Sequence, residues 1–298
     1  MKLIFHWVGK KIPKYGLLNL QHSLNTLKCD IVLLTNIDEG QFTGLINQGL
    51  EYENITFDEH MWASSDFFWK ITTLRFQHIY NFMQNKGLSQ CFHSELDNIN
   101  FYLPEGDDLL RYSLIVPRDS EKRAIASLIY FDKLGLEMIL SLAQEGKYKN
   151  DMELLGNLPF GTNGVASFPT EKYSYKDYPD FVAQINSLTF DAASIGQFLL
   201  GVDPSNRLGP VFNMFQNTNS ALGAFPQFSI VEENLCLEGR RLANVHCHSK
   251  NVQAILDKKR LCKLISRINM NKPVLMGVGI NVKKLKESIY DLYKVFIR

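Results

Sequence analysis

The sequence has no uninterrupted run of 18 apolar residues, so it predicts no membrane-spanning helix. Its five cysteines (Cys29, Cys91, Cys236, Cys247 and Cys262) are scattered, and no CxxC occurs. That pattern argues against a disulfide framework and a cysteine zinc site, and for a reducing compartment. Neither GxxxxGK[ST] nor GxGxxG is present, which removes the Walker and dinucleotide-binding fingerprints. A serine-centred nucleophile elbow is also missing. Met1 to Phe5 is too short for a signal-peptide core, because His6 interrupts it. The expectation is a cytoplasmic protein, with peripheral contact at the inner face of a membrane as its one route to lipid.

What is present is enough for a sizeable core. The chain has 298 residues, with 45% apolar and 21% charged, which reads as globular. The net charge of +1 hides a partition. Residues 1–250 carry 21 Lys/Arg against 28 Asp/Glu, a net −7, and residues 251–298 carry 11 against 3, a net +8. An acidic body disfavours nucleic acid as the main partner. The basic tail predicts contact with a membrane surface or a neighbouring module, or a solvated helix face docked on the acidic body.

Leu3 to Val8 reads as a buried strand, Leu17 to Leu27 as a helix and Asp30 to Thr35 (DIVLLT) as a strand buried on both faces. Together they make a βαβ unit. Asn36 then sits at the carboxyl end of the second strand, where open α/β sheets bind ligands. Ser64-Ser65-Asp66 reads as an N-cap for a helix from Phe67 to about Asn85, stopped by Gly87. Arg75 shares the apolar stripe of that helix with Phe68, Ile71, Ile79, Phe82 and Met83. A buried-side arginine needs an anion: an intramolecular carboxylate, a nucleotide, or Asp97. Trp62, Phe67, Phe68 and Trp69 read as core, with one of them able to stack on a base or sugar.

Further strands are expected at Leu88–Leu96, Leu114–Pro117 and Ala126–Phe131, and helices at Leu134–Gln144, from Asn150 onward, and at Asp191–Leu200. Residues 156–180 read as a long loop, and 203–235 show no clear periodicity.

Two clusters carry chemistry. The first, Cys91-Phe92-His93-Ser94-Glu95-Leu96-Asp97-Asn98, spaces His93, Glu95 and Asp97 by two, which on an extended strand puts them on one face. The second, Asn244-Val245-His246-Cys247-His248-Ser249-Lys250, places two imidazoles and a lysine likewise. Carboxylate oxygens suit Mg²⁺ and Mn²⁺, and Mn²⁺ also accepts imidazole. Glu95 and Asp97 with His246 or His248 could therefore hold a divalent cation, with Lys250 beside a diphosphate. Asp151 and Glu153 open a helix, where a carboxylate could act as general base or could simply cap the helix. Asp191 and Gln197 could hydrogen-bond sugar hydroxyls, or Asp191 could be an N-cap.

In their order these pieces resemble the GT-A class of nucleotide-sugar glycosyltransferases. A βαβ unit is followed by an arginine-bearing helix, a strand ending in acid-x-acid, and a late histidine before a lysine. The phrases TLRF (73–76), FHSELDN (92–98), NDMELL (150–155), FDAASIGQFLLGVDP (190–204) and NVHCHSK (244–250) are similar to a group of bacterial GT-A-like proteins. The resemblance spans roughly residues 1–250. It implies an α/β fold with a GT-A-like mixed β-sheet flanked by helices, a Rossmann-like nucleotide-binding core, and a basic helical tail over 251–298. It also implies acid-x-acid metal binding, completed by the late histidine. Glu95 departs from the usual first Asp of that motif.

The resulting expectation is a metal-dependent hexosyl- or deoxyhexosyltransferase. It would move a sugar from a nucleotide-diphosphate donor to a glycan or lipid-linked glycan in surface polysaccharide (O-antigen, capsule, lipopolysaccharide) synthesis. Glu95, Asp97, His246 and His248 are the expected ligands of Mn²⁺ or Mg²⁺. Asn36, Arg75 and Lys250 are expected at the nucleotide, and Asp151 is the expected base, which predicts inversion. The rivals are a metal-dependent hydrolase using the same ligands and a non-catalytic binding module.

Overall fold

A computed structural model of the chain describes residues 1–57, 67–104, 109–171, 185, 187–201 and 226–270. Its N-terminal unit is β1 (Lys2–Trp7), α1 (Lys14–Thr26) and β2 (Asp30–Thr35), the expected βαβ, with β1 and β2 parallel. α2 (Thr43–Ile46) and β3 (Glu51–Asn54) follow, then the long α3 (Phe67–Lys86). α3 ends where predicted, because Gly87 adopts φ +65°, a conformation that glycine enters without a Cβ clash.

Beyond it lie β4 (Gln90–Ser94), β5 (Asn98–Asn100), β6 (Leu114–Ser120), β7 (Arg123–Ala124), β8 (Leu128–Asp132), α4 (Lys133–Gln144) and α5 (Asp151–Gly156). The last described third contains β9 (Val165–Phe168), β10 (Leu188–Thr189), α6 (Ser194–Leu200), β11 (Phe228–Val231), β12 (Asn234–Leu237), β13 (Arg240–Leu242) and β14 (Asn244–His246). Two helices close it, α7 (Val252–Leu256) and α8 (Lys258–Met270).

Among the described residues the main sheet has eight strands in the order β3-β2-β1-β4-β8-β6-β7, with β9 on β6. β3, β2, β1 and β4 run parallel; β8 is antiparallel to both β4 and β6. This is a mixed sheet flanked by helices, as expected. β1 shows why both faces are covered. Leu3 and Phe5 pack with Leu20 of α1, while Ile4 packs with Phe76, Ile79 and Met83 of α3. All seven are fully buried, and each is worth roughly 1.5–3 kcal/mol of transfer free energy.

A third cluster joins Ile99 and Val245 to Ile195, Leu235, Val252, Ile255, Leu261 and Ile265. The apolar sides of α7 and α8 are thus part of the packed body. Among the described residues no helix is long and apolar enough to cross a membrane.

Three expectations change. β4 stops at Ser94, not Leu96, so Glu95 and Asp97 lie beyond the strand. The expected loop 156–180 contains β9, a four-residue strand that is buried throughout. Trp69 is 37% exposed and is not core. Trp62 and the Ser64-Ser65-Asp66 cap lie outside the described residues, as do residues 172–184, 202–225 and 271–298.

Candidate functional site

The site forms where β4 leaves the sheet. Glu95 N–H donates to Ser127 O of the neighbouring segment (3.2 Å), and Asn98 N–H closes a turn on Glu95 O (3.0 Å). The turn, and not the pleat of a strand, brings the two carboxylates together. β5 then pairs antiparallel with β14, with Asn98 opposite His246, and Cys247 N–H reaches Asp97 O at 2.7 Å. A slip of one residue would put Val245 in the place of His246.

Buried amides hold this register. Asn98 Nδ2 donates to Ser94 Oγ and Asn100 Oδ1, both at 2.9 Å, and Asn244 Nδ2 donates to Asn98 Oδ1 at 2.6 Å. Asn19 of α1 donates to Leu96 O (3.1 Å) and Asn98 O (2.8 Å). Sequence reasoning missed Asn19, Asn98 and Asn100 as site supports. The alternation Asn98-x-Asn100 was the one available signal.

Glu95, Asp97 and His246 each offer one ligand atom, and these atoms lie within 4.8 Å of one another. His246 Nε2 is 3.1 Å from Glu95 Oε2 and 3.5 Å from Asp97 Oδ1. Its Nδ1–H donates to Ala192 O at 3.0 Å, which leaves Nε2 to face the carboxylates. Two carboxylate oxygens and one imidazole nitrogen form a donor set that fits a divalent cation.

Cations surround the carboxylates. Arg75 Nη1 donates to Glu95 Oε1 at 2.6 Å, and Nη2 donates to Asp151 Oδ2. Lys250 Nζ donates to Asp97 Oδ2. Lys250 has φ +62°, a left-handed backbone that is strained for a side chain with a Cβ, in a turn that brings it back onto Asp97.

Burial acts to raise the Asp97 and Glu95 pKa values. The charges of His246 and Lys250 nonetheless hold Asp97 well below the usual carboxylate range, and those of Arg75 and His246 do the same for Glu95. His246 is the mirror case: burial works to lower its pKa, and Asp97 and Glu95 push it well above the ordinary value.

The other sequence candidates fall as follows. His248 lies against His246 with ring centroids 4.1 Å apart and the rings tilted by 38°, outside the Glu95–Asp97–His246 group, and burial with the His246 charge pushes its pKa down to about 3. His93 is buried on the sheet, its Nδ1–H donating to Ile4 O at 2.9 Å, so it does not join Glu95 and Asp97. Asn36 uses its amide on Gly9, accepting from Gly9 N–H (3.0 Å) and donating to Gly9 O (3.2 Å). Asp151 is 3% exposed, and its pKa is raised by burial against the opposing charge of Arg75. The Asp191 carboxylate is fully buried and faces backbone N–H groups, not a sugar site.

No family model and no curated protein matches the sequence. Solved structures resemble the fold at low identity. The glycosyltransferase GlyE of Streptococcus pneumoniae TIGR4 is 14% identical over 56% of this chain and 44% of its own, with a TM-score of 0.39. An active-site variant of LgtC is 10% identical over 75% of this chain and 85% of its own, with a TM-score of 0.44. A nucleotide-diphospho-sugar transferase described as putative, from Desulfovibrio desulfuricans G20, is 11% identical over 56% and 79%, with a TM-score of 0.36. This chain therefore spans less than half the length of the pneumococcal enzyme. All three TM-scores lie below 0.5, so the chemistry of the site rests on its own residues.

Proposed function

We propose that the chain is a metal-dependent glycosyltransferase that takes a sugar from a nucleotide diphosphate and gives it to a glycan acceptor. The observation that carries this reading is the Glu95–Asp97–His246 group with Lys250 and Arg75 against its carboxylates. Glu95, Asp97 and His246 would hold a Mn²⁺ or Mg²⁺ ion, which would supply positive charge to stabilise the departing diphosphate. Lys250, on its strained turn, offers a second cation for a phosphate oxygen. Arg75 keeps Glu95 ionised and oriented.

Asp151 carries two readings. As general base it would deprotonate the acceptor hydroxyl, and the attack would invert the anomeric carbon. Its burial and its bond to Arg75 favour a counter-charge role instead. A surface-polysaccharide acceptor remains part of the proposal. It rests on the sequence resemblance, and an exposed basic stripe on α8, formed by Lys259, Lys263 and Arg267, adds a proposed contact with anionic lipid. On that proposal the chain co-sediments with vesicles containing anionic lipid, and reversal of the three charges releases it.

The deciding experiment is thermal unfolding with UDP, GDP, TDP and a CMP control, with and without Mn²⁺. A ligand at a hundredfold excess over its Kd adds about 2.7 kcal/mol of stability. A shift that needs both one nucleotide and Mn²⁺ supports the transferase and names the donor class. Turnover of the donor by water alone favours a hydrolase. Nucleotide affinity indifferent to Mn²⁺ and to Asp97→Ala favours a binding module.

A further inference from the structure

We infer that Asp191 is a positioning residue for the site: its buried carboxylate ties β14 to α6 and so holds His246 Nε2 toward Glu95 and Asp97. The inference rests on the reading of Glu95, Asp97 and His246 as ligands.

Both oxygens of Asp191 are engaged. Oδ1 accepts from Ile195 N–H at 3.0 Å, and Oδ2 accepts from Gly196 N–H and His246 N–H, each at 2.8 Å. The residue is fully buried, so turning the carboxylate away would strand three backbone donors where water does not reach. Its backbone is fixed as well. Asn244 Oδ1 accepts from Asp191 N–H, and Asp191 O accepts from Asn244 Nδ2 and Ser127 Oγ, all at 3.0 Å.

The grip continues one residue on. Ala192 O accepts the Nδ1–H of His246, so Asp191 anchors the backbone of His246 while its neighbour sets the ring. Such outer partners fix the tautomer and direction of a metal-binding imidazole. Gly196 permits the close approach. A Cβ there would lie 1.9 Å from His246 O, so α6 rests directly on the histidine's backbone.

An ordinary helix cap does not account for this arrangement. A cap serves the N–H groups of its own helix, and Asn or Ser performs that task about as well as Asp. Here one oxygen also serves His246, on a different element. Three N–H groups converge on one side chain, which calls for an acceptor-only group. An asparagine would turn its own NH₂ toward one of the donors.

The test is Mn²⁺ binding by the full chain, read by electron paramagnetic resonance of the free ion, alongside circular dichroism for the fold. Asp97→Ala should abolish binding and so identifies the site. Asp191→Asn should weaken Mn²⁺ binding about 10- to 100-fold in folded protein. Asp191→Ser has a side chain too short to reach His246 N–H, and it should weaken binding likewise. It provides the measurement if the asparagine variant does not fold. A folded variant with unchanged Mn²⁺ affinity overturns the inference and leaves the metal reading intact. Absence of Mn²⁺ binding by the unaltered chain sinks the metal reading, and this inference with it.

Discussion

His93 and His246 make an instructive pair. Both are buried, and both donate Nδ1–H to a backbone carbonyl, Ile4 O at 2.9 Å and Ala192 O at 3.0 Å. Burial pushes both toward the neutral form. For His93 the Arg75 charge adds to that push, and its pKa falls to about 3. For His246 the charges of Asp97 and Glu95 outweigh burial, and its pKa rises well above the ordinary value. Neither residue type, burial nor the local hydrogen bond separates the two histidines. The charge around the ring does: Arg75 outweighs Glu95 at His93, and Asp97 and Glu95 dominate at His246.

The comparison breaks most sharply at Arg75, which lowers the pKa of His93 and also balances Glu95 and Asp151. Arg75→Ala leaves a buried carboxylate uncompensated and should cost about 3–5 kcal/mol in urea unfolding. A loss below 1 kcal/mol would show that the ion pairs do not hold the site together.

Asp151→Asn comes next. If Asp151 is the base, turnover drops about 10²–10⁴-fold with donor binding retained. If it only balances Arg75, turnover falls by less than about tenfold, and the main effect is on stability. Steady-state kinetics beside an unfolding curve separates the two.

The smallest effect comes from the histidine that does no chemistry. His93 has a folded pKa of about 3 against 6.5 for the free group. Between those values the unfolded chain takes up a proton that the folded chain refuses, so His93 makes stability fall as pH drops from about 6.5 toward 3. His93→Gln should flatten that part of the stability-versus-pH curve. His246, with a raised pKa, has the opposite sign. Its contribution in the metal-free chain is full below 6.5 and is lost as pH rises through its folded pKa. An unfolding midpoint unchanged across both limbs in His93→Gln and the parent would refute the assignment of opposite charge states.

The frame was legible where local signals suffice. DIVLLT is a strand at its predicted bounds because a continuous apolar run has few other uses in a buried parallel sheet. A period-two argument groups Glu95 with Asp97, yet a turn after β4 unites them, so the two carboxylates meet by a route that the pattern does not describe. His93 was grouped with them for the same reason and sits elsewhere. The partner of Arg75 at position 151 and the β5–β14 pairing had no local signal. Both join distant segments, and two three-residue strands leave no periodicity to read. The Asp191 grip was hidden in the same way, because an N-cap and a cross-element anchor look identical in sequence.

The pairing of β5 with β14 also sets a timetable. Asn98 and His246 meet across nearly half the chain, so a growing polypeptide carries Glu95 and Asp97 long before their third partner exists. Until β14 emerges, the early half presents two carboxylates with Arg75 but without His246, Lys250 or the Ala192 carbonyl. Closing so large a loop is slow relative to local pairing. The Glu95–Asp97–His246 group is therefore assembled late, and a nascent or truncated chain lacks it until the last strand docks.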